Sequence, residues 1–351
     1  MTDLLALTEQ LCAVPSVSGS EAALCGLVEA RLRERAPNLE VARLGANVVA
    51  RTRRGAAQRI VLGGHLDTVP ASDNLTPRRD GETLHGLGSA DMKGGLAVML
   101  ELAEFVAGGS GSRDVTFVFY DGEEVTDEHN GLRRLFAERA DLVSGDLAIL
   151  LEPTGGWIEA GCQGTIHAQV TFHGARAHSA RPWMGVNAVH RAAPMLARVA
   201  AFEAPTVTVD GLAYRESLQV VRIAAGIANN VVPDRCEIVV NRRYAPVCSF
   251  VEAQAHTRAL FDDADEVEII SASAAAAPNL THPLIGELIG AGHLRVRPKL
   301  GWTDVARFTQ HGVAAVNFGP GNPELAHTAD ERVERTDLEH CLRVLSKFVA
   351  G

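Results

Sequence analysis

Histidines and carboxylates recur in this 351-residue chain directly after short apolar runs. His65 and Asp67 lie in GGHLDTVP (63–70), which follows Ile60, Val61 and Leu62. Side chains alternate along a strand, so residues two apart leave it on the same side. An imidazole beside a carboxylate is a common way to orient a metal ligand. Asp91 sits in GLGSADMKGG (86–95), a glycine-rich turn ahead of a buried-helix pattern at 94–106. Glu123 and Glu124 follow the run Val115–Tyr120, and Glu152 follows Leu147–Leu151. His327 stands in AHTADE (326–331), beyond the run Ala314–Phe318.

Each of these groups falls at a strand-to-loop junction. Two imidazoles and three carboxylates (His65, Asp91, Glu124, Glu152 and His327) suit two divalent ions about 3.5–4 Å apart, one carboxylate bridging them. A donor set without cysteine fits a catalytic zinc pair and also accepts cobalt or manganese. Adjacent acids beyond a strand end can point different ways. One of Glu123 and Glu124 can therefore bind metal while the other takes a proton from water and passes it to a leaving amine.

Convergence of residues so far apart requires a particular scaffold. Strand, buried helix and strand in succession imply an α/β fold, a mostly parallel sheet with helices on both faces. Ligands of such sheets bind beyond the carboxyl ends of the strands. The pattern changes near Thr165. Ile166, Ala168, Val170 and Phe172 alternate with polar residues, as in an antiparallel sheet with one wet face. Helical patterns at 185–202 and 249–262 and strand patterns at 218–223, 236–244 and 267–271 complete an inserted α+β domain. The expected organisation is a first domain at 1–164 and 276–351, interrupted by the inserted domain at 165–275. Capping boxes are expected at Ser18 with Glu21 and at Thr336 with Glu339.

Composition excludes several function classes. The net charge of −10 argues against a nucleic-acid partner, which needs a basic patch. No apolar run reaches membrane-spanning length. The N-terminal MTDLLALTEQ has no basic stretch and is not expected to be a signal peptide. Six cysteines (Cys12, Cys25, Cys162, Cys236, Cys248 and Cys341) form no Cys-x-x-Cys pair. They read as free thiols in a reducing, cytoplasmic setting.

GGHLDTVP, GLGSADMKGG, the Glu123-Glu124 pair, LLEPT (150–154) and AHTADE together resemble the motif set of the M20 family of zinc aminoacylases and peptidases. The likeness runs in order over nearly the whole chain. It implies that His65 and Glu152 hold one zinc, Glu124 and His327 the other, and that Asp91 bridges them, often next to a cis peptide. Asp67 would orient His65 and Glu123 would be the general base. The resemblance makes 1–164 and 276–351 the catalytic domain and 165–275 a lid and dimerisation domain, which in the family often makes a homodimer contact. HGARAHSARP (173–182) is similar to its motif for a histidine, here His178, that stabilises the oxyanion.

Finer strings, namely EEVTDEHNGL (123–132), HSARPWMG (178–185), ANNVVPD (228–234) and GWTDVARF (301–308), resemble members acting on small N-acyl amino acids with several carboxylates. Such a substrate calls for arginine and amide donors. The candidates are Arg181, Arg243 and Arg307 with Asn229 and Asn230. Trp302-Thr303-Asp304 departs from the stretch many members carry, which leaves the contacts of that loop open. Deacetylases, aminoacylases and dipeptidases of the family would share the metal residues. A non-catalytic metal-binding homologue would be expected to lose a ligand or the base, and none is missing.

Overall fold

Apolar strands alternating with helices stack as layers, because each element has one face to bury. The computed structural model describes residues 3–351 and divides into two units. One holds the chain up to Gly161 together with Pro278–Arg297 and Asp304–Gly351. The other holds Cys162–Ala277 and Pro298–Thr303.

The first unit is built on an eight-stranded sheet. Its order is Glu40–Leu44, Asn47–Arg51, Asp114–Tyr120, Arg59–His65, Leu147–Leu150, Ala314–Asn317, Ile158–Ala160 and Val296–Pro298. Four central strands run parallel, from Asp114–Tyr120 through Ala314–Asn317. Asn47–Arg51 and Ile158–Ala160 flank them in antiparallel pairing. Helices pack in two sets. Leu4–Cys12, Ala22–Arg35, Gly94–Ala107, Pro283–Gly292 and Arg335–Ala350 form one. Gly131–Val143 and Val305–Gln310 form the other, joined by the edge-to-face rings of Phe136 and Phe308, 5.2 Å apart.

Register aligns the strand ends. His65 pairs with Tyr120, and Gly63 with Leu150. The chain therefore leaves all three strands at one level, where Glu123, Glu124 and Glu152 follow. Helix Gly94–Ala107 lies close to this edge because glycines allow it. A Cβ on Gly64 would lie 2.7 Å from the Leu96 side chain, and one on Gly95 would lie 2.4 Å from the Leu151 carbonyl oxygen.

Neither expected capping box forms. Glu21 accepts the Gly19 N–H, while the Ser18 hydroxyl turns to the Asp67 carboxylate, 2.8 Å away. The last helix starts at Arg335 with no side-chain cap, and Arg335 pairs with Asp3 and Glu82. Ser18 thus gives up the local bond for a partner distant in sequence, and Thr336 lies inside its helix rather than at the cap.

The second unit is a four-stranded antiparallel sheet in the order Ser217–Ala225, Arg235–Tyr244, Gly164–His173 and Glu266–Ser273. Ile166, Ala168, Val170 and Phe172 are buried, and helix Ala188–Ala200 covers part of that face through Ala192 and Met195. Thr171, read as polar and wet, is buried too. Asn187 caps this helix by accepting the Val189 N–H, and helix Phe250–Ala259 begins with a Ser249–Glu252 capping box. Pro298–Thr303, expected in the catalytic domain, belongs here instead. Gln163 N–H donates to the Lys299 carbonyl and Trp302 Nε1–H to that of Ala274 (3.1 Å).

Gly95→Ala should destabilise the protein by about 1–3 kcal/mol, because the added methyl meets a strand-end carbonyl rather than a flexible side chain. Urea denaturation of the purified variant checks this.

Candidate metal centre

Parallel strands bring the five expected metal ligands together. His65 ends its strand, and its ring is 1% exposed. Its Nε2 lies 3.1 Å from Asp91 Oδ1 and 4.0 Å from Glu152 Oε1. His327 Nε2 lies 2.7 Å from Glu124 Oε1 and 3.3 Å from Asp91 Oδ2. Asp91 thus turns one oxygen to each imidazole. Donor atoms of His65, Asp91 and Glu152 fall within 4.8 Å of one another, and so do those of Asp91, Glu124 and His327. A carboxylate shared by two such triads has the form of a bridging ligand. The Asp91–Met92 peptide is cis. His327 has φ of 61°, a left-handed conformation that histidine adopts more readily than most residues.

Charge is unbalanced here. Asp67, Asp91, Glu123, Glu124 and Glu152 surround only two imidazoles. Burial, then the neighbouring Glu152 carboxylate, pushes the Glu123 carboxyl well above the usual range. Burial opposes charge on His65, yet Asp67 and Asp91 hold its pKa well above the ordinary value. Asp91 and Glu124 raise His327 to about 10. Nitrogen and oxygen donors around excess negative charge fit divalent cations.

Asp67 meets both His65 and the acidic pair. The nearest partner of His65 Nδ1 is the Asp67 backbone carbonyl at 2.9 Å, with carboxylate Oδ1 at 3.5 Å. The carboxylate also accepts the backbone N–H groups of Glu123 and Glu124, each at 3.0 Å. Burial would raise its pKa, but His65 and those N–H groups hold it down at about 2. One residue therefore orients the imidazole through its main chain and the acidic pair through its side chain.

Arg307, expected as a substrate contact, is committed elsewhere. It is 7% exposed, and it donates from Nε to Asp304 at 2.9 Å and from a terminal nitrogen to Asp127 at 2.6 Å. Asp304 also accepts from Asn130, whose own Oδ1 caps helix Gly131–Val143. Arg307 thus braces the Glu123–Asn130 loop, and its charge is already matched.

The remaining candidates lie in the second unit. His178 is exposed, and its Nδ1 accepts the Ala180 N–H at 3.1 Å. Asn229 and Asn230 are exposed, and the Asn230 carbonyl accepts the Ser179 N–H, fixing the His178 loop. Arg181 is exposed. Arg243 is half-buried, donates to Asn241 at 3.3 Å, and has no carboxylate partner among the described residues.

Two contributors escaped the sequence reading. Tyr120 is buried with its ring edge toward His65, centroids 6.4 Å apart. Glu331, the last residue of AHTADE, is 1% exposed and accepts the Ala90 and Asp91 N–H groups at 3.0 Å each. Burial lifts its pKa to about 7. Its place in a motif beside His327 was the available signal.

Known proteins bear on this geometry. The profile described as Peptidase family M20/M25/M40 matches residues 61–351. A Mycobacterium tuberculosis protein provisionally named succinyl-diaminopimelate desuccinylase is 45% identical over 350 residues, 99% of this chain and 98% of that one. The succinyl-diaminopimelate desuccinylase of Corynebacterium glutamicum is 42% identical over 355 residues, covering 99% and 96%. Among solved structures, a tripeptidase from Staphylococcus aureus matches with a TM-score of 0.82 at 19% identity, covering 99% of this chain and 97% of that chain. No described helix is long and apolar enough to cross a membrane.

The raised His pKa values set a pH dependence. With chelator present, the stability His327 gains from its protonated form is fully present below its unfolded value near 6.5 and is lost as pH rises through about 10. Divalent ions require the neutral ring. Their affinity should therefore rise from pH 6.5 towards 10, with protons released on binding. Calorimetric titration in buffers of different ionisation enthalpy measures both.

Proposed function

This chain belongs to peptidase family M20/M25/M40, and we propose on that premise that it hydrolyses N-succinyl-LL-2,6-diaminopimelate to succinate and LL-2,6-diaminopimelate, a step of lysine and diaminopimelate biosynthesis. The chain is a metal-dependent hydrolase of a linear amide. The observation that carries the substrate is the 42% identity, over nearly the full length of both chains, to a relative of that name.

In this reading His65 and Glu152 hold one ion, Glu124 and His327 the other, and Asp91 serves both. Zinc is the proposed ion, with cobalt or manganese as substitutes. Bound there, two ions supply Lewis-acid polarisation of the amide carbonyl and a more acidic attacking water.

The protein's own groups do the rest. Glu123 takes a proton from the attacking water on its carboxylate and returns it to the departing amine nitrogen. Its raised pKa is in the direction such a two-way group needs. Asp67 fixes the base by holding both backbone N–H groups of the acidic pair. His178 stabilises the oxyanion. Its Nδ1 accepts an N–H, which leaves the ring proton on Nε2 as the donor. Arg243 receives a substrate carboxylate, supported by its lack of an acidic partner. Arg181, Asn229 and Asn230 are the exposed donors available for the others.

The second unit, on this proposal, is the lid and homodimer contact. Its edge strand Ser217–Ala225 exposes Val221 (56%) and Ile223 (51%), and an open apolar edge invites a partner. Six free cysteines support a reducing, cytoplasmic setting.

Zinc-loaded protein assayed on N-succinyl-LL-diaminopimelate, N-acetylornithine and a dipeptide panel should prefer the first. Equal or greater kcat/KM on another removes the substrate assignment. Glu123→Ala should keep its metal content and lose about 10²–10⁴-fold in kcat. Wild-type turnover would overturn its role. Arg243→Ala should raise KM for the succinylated substrate about 10- to 100-fold, the worth of one charged hydrogen bond. Steady-state kinetics read both.

A further inference from the structure

His327 and Asp91 reach the same centre from segments far apart in sequence, and their side chains lie 3.3 Å apart. Backbone contacts lace these segments together. The Gly86 N–H donates to the Glu331 carbonyl at 3.0 Å, and the Glu331 N–H donates to that of Thr328. Asn74 Nδ2–H also donates to the Thr328 carbonyl, while the Asn74 carbonyl accepts the Leu87 N–H. At the centre of this lacing one side-chain atom does most. Glu331 Oε1 accepts the N–H of Ala90 and the N–H of Asp91 itself.

Glu331 is almost wholly buried, so no water replaces it if it withdraws. The N–H it holds belongs to the residue whose carboxylate faces both imidazoles. Its backbone belongs to the loop that carries His327. A shift of Glu331 therefore moves Asp91 relative to both imidazoles, which lie 3.1 Å (His65) and 3.3 Å (His327) from its carboxylate oxygens.

We propose that Glu331 is a positioning residue that fixes the Asp91 carboxylate between His65 and His327, and so supports both ions that share it. The inference rests on the two-ion reading above. What matters is the reach of an acceptor oxygen rather than the negative charge. Glu331→Gln keeps an oxygen at the same distance, Glu331→Asp keeps the charge but withdraws the oxygen, and Glu331→Ala removes both.

Zn²⁺ titrated calorimetrically into chelator-stripped wild type and the three variants tests this, with circular dichroism to check folding. Glu331→Asp and Glu331→Ala should bind both ions about 10- to 100-fold more weakly than wild type. Glu331→Gln should bind both as wild type does. The Asp and Gln pair decides the matter if the alanine variant does not fold. Wild-type affinity for both ions in Glu331→Asp overturns the proposal. Weakened binding in Glu331→Gln overturns it as well, because the amide keeps the acceptor oxygen in place. A wild-type protein that binds fewer than two ions overturns the two-ion reading itself and this inference with it.

Discussion

Carboxylates crowded at one dry sheet edge repel each other, and this repulsion governs the molecule. Asp67, Asp91, Glu123, Glu124 and Glu152 meet at strand ends with only His65 and His327 as nearby imidazoles. Like charges in a buried site cannot all stay ionised without cations. The raised pKa values of the imidazoles and of the Glu123 carboxyl express the same imbalance. Such an edge is a place for divalent ions, and the surrounding structure keeps it assembled.

A parallel sheet provides only coarse alignment. Its register levels the ends of the three strands that lead to His65, the Glu123-Glu124 pair and Glu152. The final placement belongs to side chains that grip the loops by backbone or side-chain atoms. Asp67 holds the peptide groups of the acidic pair, Glu331 holds that of Asp91, and Asp304 with Arg307 holds the far end of the Glu123–Asn130 loop. Carboxylates therefore serve twice here, as the acids that face the centre and as the clamps behind them. The two uses differ in partner. A clamp carboxylate is satisfied by N–H groups, whereas an acid facing the centre is left to find a cation.

The same accounting separates the arginines. Arg307 has two acids on its guanidinium and acts within the scaffold. Arg243 meets an amide oxygen and no carboxylate among the described residues. A cation that the fold leaves unmatched, partly withdrawn from water, is the one a substrate carboxylate can engage with gain.

Much of this was legible in the sequence. The strand-end positions of His65, Glu124 and Glu152 follow from apolar runs, and the helix after Asp91 forms over Gly94–Ala107 as its pattern indicates. Residue type and strand order determined the donor chemistry, the α/β class and the family, because periodicity and motif spacing are local properties. The tertiary structure alone decided which partner each polar group took. Ser18 left its expected capping box for Asp67, 49 residues away, and Arg307 found Asp127 across 180 residues. Asp67 gave its carbonyl to His65 and its carboxylate to the acidic pair. Hydrogen-bond pairing across a folded interior depends on distance and desolvation between remote segments, and no local pattern encodes either.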